Sequence, residues 1–238
     1  MAESFAERLA GVEARLAAAC ARVGRARDEV RLLTVTKTQG PDEVAVALAA
    51  GLTLFGENRV QEARSKIPLC AAAANWHLIG HLQSNKVKEA VQLFALLQAV
   101  DSLRLLELID GAAAGAGRTL PVYLEVNVSG ERSKNGLAPE FVPGVLAAAN
   151  RLTHVDIQGL MTIPPLARDV GEARPFFRRL RELRDEWRRE SGLALAELSM
   201  GMSHDFEIAV EEGATMVRVG SALFGPRPPK GVSNDGNE

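Results

Sequence analysis

The sequence predicts a closed (β/α)8 barrel preceded by one amphipathic helix. Three observations lead there. Short apolar runs of β character alternate with longer helical patterns from residue 31 to residue 219. Eight such runs fall within 238 residues, the size of one barrel domain. No Pro-, Gly- or Ser-rich linker divides them. Strand–helix alternation at this spacing implies parallel pairing through crossover helices. An open doubly wound sheet is the competing architecture, because a linear pattern does not reveal closure.

Taken in order, residues 3–23 come first. Leu9, Val12, Leu16 and Val23 lie near one face at helical spacing, while Glu3, Glu7 and Glu13 stand where a signal peptide needs basic and then apolar residues. The strand-like runs are 31–36, 52–55, 76–79, 94–100, 121–128, 155–161, 197–200 and 215–219. Helical patterns lie between them at 41–50, 58–67, 83–92, 102–115, 139–150, 172–190 and 204–212. Pro41 opens one helix after Gly40 and Gly51 stops it. Asp101 or Ser102 caps the helix that begins near Leu103. The expected organisation is one domain over 1–225 and a flexible tail over 226–238, where Pro, Gly, Asn and Ser accumulate.

Composition narrows the function classes. Apolar residues make up 47% of the chain, which argues against disorder, and no run suits a membrane span. The formal charge of −2 asks for neither a nucleic-acid nor a membrane partner. Cys20 and Cys70 sit in alanine-rich stretches far from any CxxC or His cluster. Neither a disulfide framework nor a metal site is expected, and a reducing cytoplasm fits. The arginine-rich stretch 174–189 carries an apolar stripe, Phe176, Leu180, Leu183 and Trp187, with Glu182, Asp185, Glu186 and Glu190 among its arginines. It reads as a core-packed helix with a solvated charged face, not a nucleic-acid site.

In a barrel, chemistry gathers on the loops that follow the strands. Lys37 ends the first strand on the face of Leu33 and Val35. Partial desolvation there favours a neutral, nucleophilic amine, as Schiff-base formation with an aldehyde requires. Taken alone, a lysine extending to water or pairing with an acid such as Glu57 is the plainer reading. Gly201-Met202-Ser203 and Gly220-Ser221 follow the last two strands, the usual phosphate position of such barrels. Tight turns alone would also explain those glycines. Arg218 shares a face with Met216 and Gly220. It needs an acceptor, either the ring nitrogen of a cofactor or an interior acid such as Glu125. His77 and His81 straddle a strand end and do not share a helix face as a metal pair would. His154 lies in a connection, and His204 sits at a helix start near the expected phosphate.

These residues resemble a known family. The segments LTVTKT (33–38), FGENRVQE (55–62), WHLIGHLQSNK (76–86), VNVS (126–129), GLMTIP (159–164), LSMGMSHDF (198–206) and MVRVGSALFG (216–225) are similar to the pyridoxal 5′-phosphate (PLP) homeostasis proteins, relatives of the N-terminal barrel of alanine racemase. The resemblance runs from residue 33 to 225, nearly the whole domain. It implies a fold-type-III barrel that carries PLP as a Schiff base on Lys37. It further implies Arg218 facing the pyridine nitrogen, Ser203, Gly220 and Ser221 holding the phosphate, and Asn58 lining the pocket.

A cation facing the ring nitrogen disfavours its protonation and weakens the ring as an electron sink. Alanine racemase, similar here, takes a tyrosine base from a second domain and subunit. The single tyrosine of this chain, Tyr123, is expected at the start of the fifth strand, away from the reactive loops. The expectation is therefore a monomeric, non-catalytic PLP carrier supplying PLP-dependent apo-enzymes. A racemase-type enzyme is the alternative, and a phosphosugar enzyme using Lys37 as an aldolase-type lysine is more distant.

Overall fold

The computed structural model describes residues 3–131, 133–165 and 169–225; the tail expected over 226–238 lies outside them. Its first helix, α1 (Phe5–Arg22), starts where Ser4 Oγ accepts the Glu7 amide at 3.2 Å and Glu7 Oε2 accepts the Ser4 amide at 2.7 Å. This reciprocal cap satisfies two amide donors that lack helical partners. Val12, Leu16, Ala19 and Cys20 form its buried face. Val23 lies one residue past the helix and is 42% exposed, so it leaves the expected apolar stripe.

Eight parallel strands then close on themselves in chain order. They are β1 (Arg31–Val35), β2 (Leu54–Glu57), β3 (Asn75–Leu78), β4 (Leu96–Val100), β5 (Leu120–Glu125), β6 (Val155–Met161), β7 (Glu197–Met202) and β8 (Met216–Val219). Helices α2 (Pro41–Ala49), α3 (Val60–Lys66), α4 (Val87–Leu93), α5 (Leu103–Gly115), α6 (Val142–Ala149), α7 (Arg174–Ser191) and α8 (Phe206–Glu211) follow the first seven strands in turn. A last short helix, α9 (Ser221–Phe224), follows β8 and was not anticipated. β1 pairs with β8 in the register Leu33↔Arg218 and Thr34↔Val219, which closes the ring and excludes the open sheet.

Strand alternation sorts the side chains into two layers. Leu32, Val217 and Val219 point outwards into the large layer between sheet and helices. Leu33, Val35, Ile79, Tyr123, Met161 and Met216 fill the barrel itself. The interior also holds polar groups. His77, Gln98, Ser199 and Arg218 are all at most 3% exposed.

Three local expectations shift. β5 ends at Glu125, not Val128. Asn127 Oδ1 accepts from Ser129 Oγ at 2.9 Å and from the Gly130 amide at 3.1 Å, which turns the chain out of the sheet. α8 begins at Phe206 because Asp205 Oδ1 holds the Met202 amide at 2.6 Å in the preceding turn. In α7 the buried stripe is Phe177, Leu180, Leu183 and Trp187, with Phe177 in place of Phe176. The charged face of that helix packs on α8, where Glu212 meets Arg174 at 2.9 Å, Arg178 at 3.0 Å and Arg181 at 3.1 Å.

Candidate functional site

The ends of β1, β2, β7 and β8 surround a cavity of about 310 Å³. Lys37, Asn58, Ser203, Arg218, Gly220 and Ser221 all line it, so the six residues singled out in the sequence meet in one place. Lys37 enters two residues beyond Val35 and is half-buried. Asn58 is set beside it by close packing: a Cβ on Gly80, after β3, would lie 2.3 Å from the Asn58 carbonyl oxygen. Only glycine allows that approach of backbone to backbone.

At the neighbouring ends of β7 and β8, Ser203 Oγ accepts the amides of Gly220 and Ala222, each at 3.3 Å. Gly220 sits directly against β1, where a Cβ would come within 3.1 Å of the Val35 carbonyl oxygen. Hydroxyl, glycine amide and serine therefore converge where small residues leave room, a chemistry suited to phosphate oxygens. Arg218 stands behind them. Its Nη1 donates to the Ser199 carbonyl at 2.7 Å and to Ser199 Oγ at 2.8 Å, and its Nη2 to the Thr162 carbonyl at 2.9 Å. Burial pushes its pKa down to about 10, against the pull of Asp205 and Glu125, so it stays a cation near neutrality. Its acceptors are therefore carbonyl and hydroxyl oxygens, and the residue also lines the cavity.

The bonds to Arg218 belong to a longer chain across the barrel. Ser199 Oγ donates to Gln98 Oε1 at 2.6 Å, and Gln98 Nε2 lies 3.0 Å from His77 Nδ1. Burial, with Arg31 nearby, lowers the His77 pKa to about 4 and keeps the ring neutral. Gln98 was not singled out in the sequence, although a glutamine in the otherwise apolar run Leu96–Val100 is the kind of signal that marks a buried polar network. Gln39, Ile79, Ile163, Met202, His204 and Phe224 also line the cavity. Of these, Met202 and His204 belong to the loop that the sequence marks as a phosphate position. Tyr123 is the fourth of six residues in β5, not its start, but its hydroxyl accepts from Arg31, the first residue of β1, at 3.0 Å, and burial raises its pKa to about 12. His81 pairs with Asp101 at 3.0 Å at the rim. No group of His, Cys, Asp and Glu among the described residues suits a metal, and no helix among them is long and apolar enough to cross a membrane.

Fold and cavity together define a class: a barrel of the alanine racemase N-terminal domain type, whose family model matches residues 9–228. The pyridoxal phosphate homeostasis protein of Aquifex aeolicus is 45% identical over 93% of this chain and 97% of its own length. That of Pseudomonas aeruginosa is 42% identical over 94% and 96%. PipY of Synechococcus elongatus, solved with PLP bound, superposes with a TM-score of 0.84 at 37% identity, covering 93% of this chain and all of that one. This chain belongs to the pyridoxal phosphate homeostasis protein family.

Proposed function

We propose that this protein binds PLP covalently on Lys37 and serves PLP homeostasis, holding the cofactor and releasing it to PLP-dependent apo-enzymes in the cytoplasm. The supporting observation is the convergence of Lys37, Asn58, Ser203, Arg218, Gly220 and Ser221 on one cavity. An amine shares the cavity with hydroxyl and amide donors, the combination an aldehyde carrying a phosphate needs. When bound, PLP supplies an aldehyde that condenses reversibly with a lysine amine. The protein's own groups do the rest. Ser203, Ser221 and the Gly220 amide hold the phosphate, Asn58 borders the ring, and Arg218 faces the ring nitrogen.

Arg218 also carries the non-catalytic part of the reading. A buried cation beside the ring nitrogen opposes its protonation, so the ring draws electrons weakly from a bound amino acid. The Tyr123 hydroxyl, bonded to Arg31 far from the cavity, is not placed to move protons there. The protein works as a single domain spanning 1–225 and as a monomer.

The test is a visible spectrum of the PLP-loaded protein, followed by borohydride reduction and peptide mapping. The expected outcome is a yellow protein with a reduced pyridoxyl group on Lys37, and loss of that label in Lys37→Ala. A colourless wild type, or an unchanged label in Lys37→Ala, overturns the reading. Multiple-turnover deuterium exchange at Cα of an amino acid would restore the racemase alternative.

A further inference from the structure

Thr36 and Thr38, the residues on either side of Lys37, are tied to a single buried ammonium. Lys66 is 6% exposed at the end of α3 and donates three hydrogen bonds from Nζ. One goes to the Thr36 carbonyl at 2.8 Å, one to Glu57 Oε1 at 2.7 Å and one to Glu62 Oε1 at 2.8 Å. Each carboxylate oxygen then reaches back to the β1 end. Glu57 Oε1 accepts from Thr36 Oγ1 at 2.6 Å, and Glu62 Oε1 accepts from the Thr38 amide at 2.6 Å. Thr36 and Glu57 are fully buried. Thr38 adopts a φ of 67°, a left-handed conformation that a threonine holds only when its surroundings impose it.

We propose that Lys66, Glu57 and Glu62 form a clamp that positions Lys37 for reaction with the aldehyde, without touching the ligand themselves. This rests on the reading that Lys37 is the PLP lysine. Condensation joins the neutral Lys37 Nζ to the aldehyde carbon and releases the carbonyl oxygen, with both amine protons, as water. The reaction needs the amine at one spot and one angle. The clamp fixes both peptide groups around Lys37 and hence the direction in which its side chain leaves the strand. It also removes a competitor. An ammonium that donates all three protons to oxygen has no lone pair to attack with, so Lys66, although close to the loop that bears Lys37, is not a rival nucleophile.

The experiment compares two ligands on apoprotein: PLP, and pyridoxine 5′-phosphate, which has the same ring and phosphate but no aldehyde. The variants are Lys66→Met, Glu62→Ala and Glu62→Gln, with folding checked by circular dichroism. The last keeps an oxygen for the Thr38 amide. In Lys66→Met and Glu62→Ala, pyridoxine 5′-phosphate binds within about twofold of wild type, while the visible band with PLP forms about tenfold more slowly, as loss of one charge-assisted bond would give. Glu62→Gln recovers part of the rate. Wild-type rates in folded variants overturn the clamp, as does equal weakening of both ligands, which would mark a general packing role. Should Lys66→Met fail to fold, the two Glu62 variants decide alone, since Glu62 is 26% exposed. A wild type that forms no adduct on Lys37 refutes the PLP reading itself, a result distinct from all of these.

Discussion

Glu125 is the residue where burial and charge compete most visibly. It points into the barrel from the end of β5 and is only 4% exposed. Burial raises its pKa to about 7, helped by Asp101 and opposed by Arg218 and His81. Because the folded value lies above that of the unfolded chain, the fold prefers the protonated form. Its contribution is complete below about pH 4.5 and is lost as the pH rises through about 7. Glu125→Gln removes the titration. In urea unfolding the variant is expected to match wild type near pH 4.5 and to exceed it above pH 7 by up to about 3 kcal/mol. A gap that does not change with pH would show that the carboxyl titrates alike in the folded and unfolded chain. At this scale the sequence marked the residues that end strands. It concealed Lys66, which occupies an ordinary-looking helical position in VQEARSK. Only the fold reveals that this position faces the end of β1 and not water.

At the scale of elements, the alternation of apolar runs located all eight strands, and the cap residues at Gly40, Gly51 and Ser102 bounded helices where expected. Boundaries moved where side chains compete with the ladder, as Asn127 does after β5. Helix phase also moved, from Phe176 to Phe177, because packing against the sheet and not periodicity sets rotation. The pairing of β6 with β7 hides a constraint of a different kind. Gly159 lies opposite Glu197, and a Cβ there would stand 2.2 Å from the Glu197 carbonyl oxygen. Glu197 has little freedom to retreat. Its side chain is held by Arg31 at 2.6 Å and by Thr215 Oγ1 at 2.5 Å. Gly159→Ala must therefore push the two strands apart. The expected cost is about 3 kcal/mol in chemical denaturation, at the upper end for overpacking. A loss below about 0.5 kcal/mol would mean that the strands slide freely past each other.

For the whole molecule, the order of strands was legible but closure was not, since it depends on the meeting of β1 and β8, far apart in the chain. The role of α1 was equally hidden. It was readable as an amphipathic helix, yet what it covers was not. It packs on α8 and α9. Arg15 meets Glu207 at 2.8 Å and lies 4.4 Å over the Phe206 ring. At its other end Phe5 packs against Phe224 with ring centroids 5.3 Å apart and planes tilted by 39°, and Arg8 Nε donates to the Leu223 carbonyl at 2.6 Å. α9 has four residues, too few to stand unaided, and it carries Ser221 and Phe224 into the cavity wall. The first turn of α1 therefore braces one side of the proposed phosphate site from outside the barrel. Phe5→Ala removes one brace and leaves every cavity residue in place. The expected outcome is PLP release up to about fivefold faster, as about 1 kcal/mol lost from the bound state alone would give. The spectrum of the bound cofactor and the borohydride label on Lys37 stay unchanged. Unaltered release would place the stability of the phosphate wall in β8 and Ser203 alone, with α1 serving only the outer core.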